Sequence, residues 1–254
     1  GLETEFVDGL RVTTPDVMEV VEMVLAGRVN KSVVSGLQKE DVPAVGISGK
    51  DGGTLMATPH PDARRLGQVG QVASADTRLV QRLLDGGYLP VVCSVAGSEG
   101  GGTFNVNADE AAAALASSLS AEHLVLLTDV PGVFRDGNEV ISHLTPSEAR
   151  TLLEDGSASG GMRPKIRACL ESLERGVGDA HIVGEGDVDS LLDLVTGRVR
   201  VGTTLGPEHP DSGEEGAGAA VSEIDEIRKR AEHHRLGTNL PLPQAFRRDR
   251  GTRL

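Results

Sequence analysis

Three glycine-bearing stretches set amide, carboxylate and ammonium side chains beside segments that read as strands and helices. The first is Gly97-Ser98-Glu99-Gly100-Gly101-Gly102-Thr103-Phe104-Asn105-Val106-Asn107-Ala108-Asp109-Glu110, which follows a buried strand and leads into an alanine-rich helix. Its glycines let the backbone approach a ligand closely. Asn107 is placed to cap the helix, with Asp109 and Glu110 in its first turn, where the helix dipole favours negative charge by about 0.3 to 1 kcal/mol. That accounts for Asn107 and Glu110 without any ligand. It leaves Asn105, outside the helix, with an amide able to donate and accept toward a polar ligand.

The second stretch is Leu127-Thr128-Asp129-Val130-Pro131-Gly132-Val133-Phe134, where a strand runs into a turn. Asp129 starting a turn with Pro131-Gly132 in its middle explains it as structure alone; a ligand-lining loop at the end of a strand is the other reading. The third, Gly160-Gly161-Met162-Arg163-Pro164-Lys165, is a double glycine opening a helix with a lysine in its first turn. A cation there opposes the helix dipole, so Lys165 asks for an anionic partner, although lysines also occur at helix starts without one.

Other chemistries lack their residues. No G-x-x-x-x-G-K-[ST] phosphate loop occurs, and no H-R-D or D-F-G set. The histidines are scattered without metal-ligand spacing, so no metal held by the protein is expected. No nucleophile elbow supports a hydrolase. Cys93 and Cys169, far apart in apolar surroundings, read as small hydrophobes rather than a disulfide or zinc site.

The elements that must position these stretches alternate, short β-branched runs followed by helical ones, which predicts a largely parallel sheet covered by helices. Thr14-Pro15 reads as an N-cap and first turn, with Val17, Val20, Val21, Val24 and Leu25 at helical spacing before Gly27. Further helices are expected over 30–39, 76–85, from the Thr145-Pro146-Ser147-Glu148 capping box to about Gly156, over 164–175 and over 188–195. Strands are expected over 42–48, 89–95, 124–127, 180–183 and 202–205. In such sheets ligands bind beyond the carboxyl ends of the strands, so the chemistry belongs to the loops there.

The 254 residues hold 25 Lys+Arg against 38 Asp+Glu, a net charge of −13, with 2% aromatics. That acidity speaks against nucleic acid and membrane surfaces as partners, and no run reaches the roughly 18 to 20 apolar residues of a membrane span. The chain reads as soluble and cytoplasmic. From Pro207 the composition becomes linker-like, then basic, as a tail over 207–254 that is expected to be disordered or to hold a short helix over 222–236.

Taken together, the ordered stretches resemble the amino acid kinase family. They are Phe6-Val7-Asp8-Gly9-Leu10-Arg11-Val12-Thr13, Met18 through Lys31, Ala44-Val45-Gly46-Ile47-Ser48-Gly49-Lys50-Asp51-Gly52, Asn105-Val106-Asn107-Ala108-Asp109, Leu126 through Val133, and Gly160 through Lys165. The resemblance covers about residues 1–205. It implies an α/β fold with a mostly parallel open sheet in an α/β/α sandwich. Residues 1–100 would be the remainder of the amino-acid-substrate lobe and 101–206 the nucleotide-binding lobe.

Within the family the motifs are most similar to the branch that uses ATP to phosphorylate the side-chain carboxylate of N-acetyl-L-glutamate, in the second step of arginine synthesis. The resemblance implies that Arg11 and Asn105 hold that substrate and that Lys165 stabilises the transferring phosphoryl group. Asp109 would organise the lysine, and Thr128, Asp129, Val130 and Met162 would line the nucleotide. Mg2+ is expected to be held mainly through the nucleotide phosphates, and a homo-oligomer, dimer or hexamer, is implied. A kinase acting on an aminoadipate-type carboxylate and a catalytically inactive ligand-sensing relative are the alternatives. The family pattern begins with a strand and a Lys-Gly-Gly stretch, followed by a second glycine-rich strand-loop; this sequence starts at Gly1 after both, so the expectation is a fragment of a longer enzyme or a relative unable to catalyse alone.

Overall fold

The computed structural model describes residues 6–7, 10–135, 139–158 and 160–207. The expectations for the tail beyond Pro207 lie outside these residues. The described residues divide into two units, 6–191 with 200–207, and 192–199.

The first unit opens with a small antiparallel pair, β1 Phe6–Val7 and β2 Leu10–Arg11. Thr14 then caps α1 Pro15–Glu22, accepting a hydrogen bond from the Val17 N–H, with Pro15 in the first turn. The helix was expected to stop before Gly27. Instead it continues through a π-helical segment, Met23–Val29, into α2 Asn30–Lys39. A mid-helix glycine costs only about 1 kcal/mol, and Asn30 anchors α2 at its first residue. Its side chain, 2% exposed, donates to the carbonyls of Ile47 at 3.2 Å and Val91 at 2.8 Å. Those carbonyls belong to β3 Ala44–Ser48 and to a later strand paired parallel to it.

Between them comes a region richer in strands than its pattern suggested. β4 Leu55–Pro59 leads through α3 Ala63–Leu66 to β5 Val69–Ala75. Next is α4 Arg78–Asp85, which starts two residues later than expected because Asp76 accepts the Arg78 backbone N–H. β6 Leu89–Cys93 pairs with β3 from Ala44↔Leu89 to Ser48↔Cys93. The predicted run to Val95 ends at Cys93, and β7 Val95–Gly97 turns away to pair antiparallel with β8 Thr103–Val106. Strands β4, β5, β8 and β7 close into a small mixed barrel. Part of the glycine-rich stretch is therefore a strand, and Asn105 sits on it.

α5 Ala108–Ser118 comes after it, capped by Asn107 as expected. β9 His123–Thr128 is next, then the hairpin of β10 Phe134–Arg135 and β11 Glu139–Val140. After β12 His143–Leu144, the Thr145–Glu148 capping box starts α6 Pro146–Glu154. α7 Met162–Glu174 and β13 Asp179–Gly184 complete a parallel pairing of β13 with β9. After α8 Leu191–Val195, β14 Thr203–Leu205 lies between β12 and β13. The sheet order is β12-β14-β13-β9, with one antiparallel contact, β13 to β14.

Two cores result. One packs Leu124, Leu126, Ile166, Cys169, Ala180 and Ile182 between the β9–β13 sheet and its helices; the other packs Leu55, Ala57, Ala96 and Val106 inside the barrel. α5 belongs to both, since Ala113 and Ala116 face the first core and Ala111 the second. Its small side chains permit close approach from both sides. Of the second unit, residues 192–199 are described, closed on themselves by Arg198 donating to Asp193 at 3.3 Å.

Candidate active site

The N-terminus of α5 is where the two cores meet, and it carries the charges. Asn107 Oδ1 accepts from the backbone N–H groups of Asp109 at 2.9 Å and Glu110 at 3.2 Å, which satisfies two of the helix's orphan donors. Asp109 turns to α7. Its Oδ1 lies 2.9 Å from Lys165 Nζ, with the two side chains 17% and 18% exposed. The anionic partner that a lysine at this helix start called for is thus supplied by the chain itself.

α7 is held by its neighbour in the same turn. Arg163 Nη1 donates to the carbonyls of Leu153 at 2.9 Å and Ala158 at 3.3 Å, so it satisfies acceptors at the end of α6 and in the turn beyond it. Met162 packs on the larger core. One turn after Lys165, the Cys169 thiol is pushed up to about 12 by burial, with the Asp109 charge adding to it. Cys169 is an inert core residue, as expected; Cys93 is half-buried and raised by burial too.

Glu110 faces the other way. It accepts the Val72 N–H of β5 at 2.7 Å, and burial raises its carboxyl above the usual range. A cavity of about 160 Å3 lies beside it, lined by Leu10, Asn107, Glu110, Pro164 and Arg167 among others. This strand-to-helix tie was not legible in the sequence, where the helix dipole sufficed to explain the residue.

Arg11 lies on β2, half-buried, and Asn105 on β8. Thr13, 0% exposed, links them: its hydroxyl donates to the Arg11 carbonyl at 2.9 Å and accepts from Asn105 Nδ2 at 3.2 Å. Thr13 has no local signal in the sequence beyond its place two residues after Arg11. Lys50, in the loop after β3 and without an expected role, donates to Glu22 at 2.7 Å and Thr103 at 2.9 Å. Beside it, hydrogen bonds from the Ser48 N–H and hydroxyl hold the Asp51 carboxyl below the usual range.

The remaining stretch lies beyond β9. Thr128 is half-buried, with its hydroxyl 3.2 Å from Asp129 Oδ1; Asp129 is exposed and Val130 half-buried. The turn is pinned by the Val133 N–H donating to Thr203 Oγ1 at 2.8 Å. Gly184, at the end of β13, packs against the backbone of Val130 and Pro131. The carboxyl ends of two parallel strands therefore face one loop, the place where α/β sheets bind ligands. Among the described residues no three His, Cys, Asp or Glu side chains converge to hold a metal.

Residues 1–184 match the amino acid kinase family, a span that contains every candidate site residue. The chain belongs to the amino acid kinase family. Among its relatives, the acetylglutamate kinase of Synechococcus sp. (strain RCC307) is 47% identical over 208 residues, 81% of this amino acid kinase and 70% of the relative. That of Porphyra purpurea is 46% identical over 198 residues, 76% and 69% of the two chains. Among solved structures, N-acetylglutamate synthase from Neisseria gonorrhoeae complexed with coenzyme A and N-acetyl-glutamate superimposes with a TM-score of 0.70 at 27% identity, covering 90% of this amino acid kinase and 54% of that chain. The α/β fold expected for the family is the one observed. No helix among the described residues of this amino acid kinase is long and apolar enough to cross a membrane.

Proposed function

We propose that this chain transfers the γ-phosphoryl group of ATP to the side-chain carboxylate of N-acetyl-L-glutamate, giving an acyl phosphate and ADP. The observation that carries the reading is the 47% identity to an acetylglutamate kinase over 208 residues. The acceptor carboxylate, with an ordinary pKa of about 4.3, is already ionised at neutral pH and needs no general base. One of its oxygens attacks the γ-phosphorus as the bond to the ADP oxygen breaks, and no proton moves. Positioning and charge stabilisation are all that remains for the protein to supply.

Arg11 takes the substrate's α-carboxylate, for which a planar guanidinium fork is better suited than an ammonium, and Asn105 hydrogen-bonds the same molecule. Lys165 faces the transferring phosphoryl group, and Asp109 holds the lysine in place; their ion pair across the α5–α7 contact supports both roles. Thr128, Asp129 and Val130 line the adenine and ribose with Met162, a reading supported by their place beyond the carboxyl ends of β9 and β13. Mg2+ would be held chiefly by the nucleotide's phosphates. When bound, it would neutralise charge on the nucleotide's phosphates.

In this reading residues 1–100 form the amino-acid side and 101–206 the nucleotide side. A homo-oligomer, dimer or hexamer, is supported by the apolar side chains that the helical run 15–39 leaves exposed, Met23 at 64% with Val24, Val29 and Val33. The enzyme works in the cytoplasm.

The test is hydroxylamine trapping of acyl phosphate with ATP, Mg2+ and N-acetyl-L-glutamate, on the longest form of the chain its gene encodes. Hydroxamate formed with this acceptor and not with an aminoadipate-type acceptor is expected. Nucleotide and acetylglutamate binding without any hydroxamate would overturn the reading in favour of an inactive sensor.

A further inference from the structure

We infer that Thr13 is a positioning residue for the acceptor site: its hydroxyl orients the Asn105 amide and ties it to the strand carrying Arg11, so that the two substrate-holding side chains are set as one unit. The substrate half of this inference rests on the proposed function; the orientation half does not.

The hydroxyl's inventory is one hydrogen and two lone pairs. The hydrogen is donated to the Arg11 carbonyl at 2.9 Å. Only lone pairs then face Asn105, so the nearer atom of its amide must be the donor, and Nδ2 stands there at 3.2 Å. The amide cannot turn over without setting Oδ1 against those lone pairs. Its carbonyl oxygen and second N–H are thereby presented, in fixed order, away from Thr13.

The backbone makes the link stiff. Thr13 N–H donates to the Leu66 carbonyl at 2.9 Å, Gln68 N–H donates to the Thr13 carbonyl at 2.6 Å, and Asn105 N–H donates to the Gln68 carbonyl at 2.9 Å. The segment just after β2, the residues just before β5 and β8 are therefore laced side by side, with the hydroxyl bridge between the outer two. Gly67 sits opposite Thr13 at φ +68°, where any Cβ would strike the Thr13 carbonyl. Thr13 itself is 0% exposed, so no water can stand in for its hydroxyl from the surface.

Valine keeps the shape of threonine while removing the bridge; serine keeps the bridge. Thr13→Val is expected to raise the KM for N-acetyl-L-glutamate about tenfold, the loss of one oriented hydrogen bond with its partners left unpaired. The KM for ATP should stay within about twofold, and Thr13→Ser should restore the acetylglutamate KM to within about threefold of wild type. An unchanged KM in Thr13→Val, or equal rises for both substrates, would overturn the inference.

Proton exchange of the Asn105 side-chain amide, followed by 15N NMR without substrate, separates this from failure of the proposed activity. One protected amide proton in wild type and Thr13→Ser, lost in Thr13→Val, is expected even if the chain phosphorylates nothing. Should Thr13→Val not fold, the wild-type signal decides alone, since two freely exchanging protons contradict the bridge.

Discussion

Lys165 Nζ and Asp109 Oδ1 stand 2.9 Å apart across the contact of α5 with α7, each side chain less than a fifth exposed. The lysine opens one helix against its dipole and the aspartate opens the other with it. What one helix lacks electrostatically, its neighbour supplies. The pair fixes the ammonium in place, as a group that must meet a phosphoryl oxygen in a set geometry has to be.

Removing either partner should therefore harm catalysis and stability together. Lys165→Met is expected to lower kcat by about a hundredfold or more, with the acetylglutamate KM changed only a few-fold, because the charge acts mainly on the transition state. Asp109→Asn should lower kcat less. In urea titrations a double-mutant cycle should return a coupling of about 1 kcal/mol or more; additive effects would mean that the two side chains do not sense each other.

A second relationship concerns pH. His181, 3% exposed on β13, lies with its Nε2 3.1 Å from His123 Nδ1 and its Nδ1 3.0 Å from Thr204 Oγ1. Burial, helped by the His123 charge, lowers its pKa to about 4. Between pH 6.5 and 4 the unfolded chain takes up a proton that the folded chain refuses, so this residue's contribution to stability falls as pH falls through that window, by at most about 3 kcal/mol. Chemical denaturation at about pH 7.5 and about pH 5, on either side of the unfolded-state pKa, measures it. His181→Gln should show a smaller loss of stability over that interval than wild type; an equal loss would place the proton uptake elsewhere.

Glycines at two positions should respond to alanine with opposite signs. Gly67→Ala puts a Cβ into the Thr13 carbonyl at φ +68° and should cost about 2 kcal/mol or more. Gly36 lies within α2 with nothing within 4 Å of the added carbon, so Gly36→Ala should stabilise by about 0.5 to 1 kcal/mol. Melting temperatures of the two variants decide the matter, and a stabilised Gly67→Ala would contradict the close approach of Gly67 to Thr13.

Local rules carried the reading of the sequence a long way wherever a few consecutive residues decide the outcome. Thr14-Pro15, the Thr145–Glu148 box and Asn107 begin helices because each cap satisfies backbone donors within three residues. The runs of β3, β6, β9 and β13 are mostly apolar, as buried parallel strands require, with His123 and His181 the polar pair between β9 and β13. Reading failed where distant partners decide. Gly27 does not end its helix, because Asn30 is tied to Ile47 and Val91; β4, β5 and β8 find their partners only on closure into a barrel, which no local pattern announces.

The candidate site divides along the same line. Asn105, Asp109, Lys165 and the turn after Thr128 were legible by residue type and by motif, because their local setting is unusual: a lysine against a dipole, an amide outside the helix it precedes. What no local pattern could specify is which of them meet. The anion for Lys165 comes from a residue 56 positions earlier, and the partner of Asn105 from one 92 positions earlier. Sequence by itself determined the capped helices, the buried strands and the types of charge available. Tertiary structure alone decided the pairings, because a side chain's hydrogen bonds are set by what packing brings within about 3 Å, and spacing along the chain carries no trace of that distance.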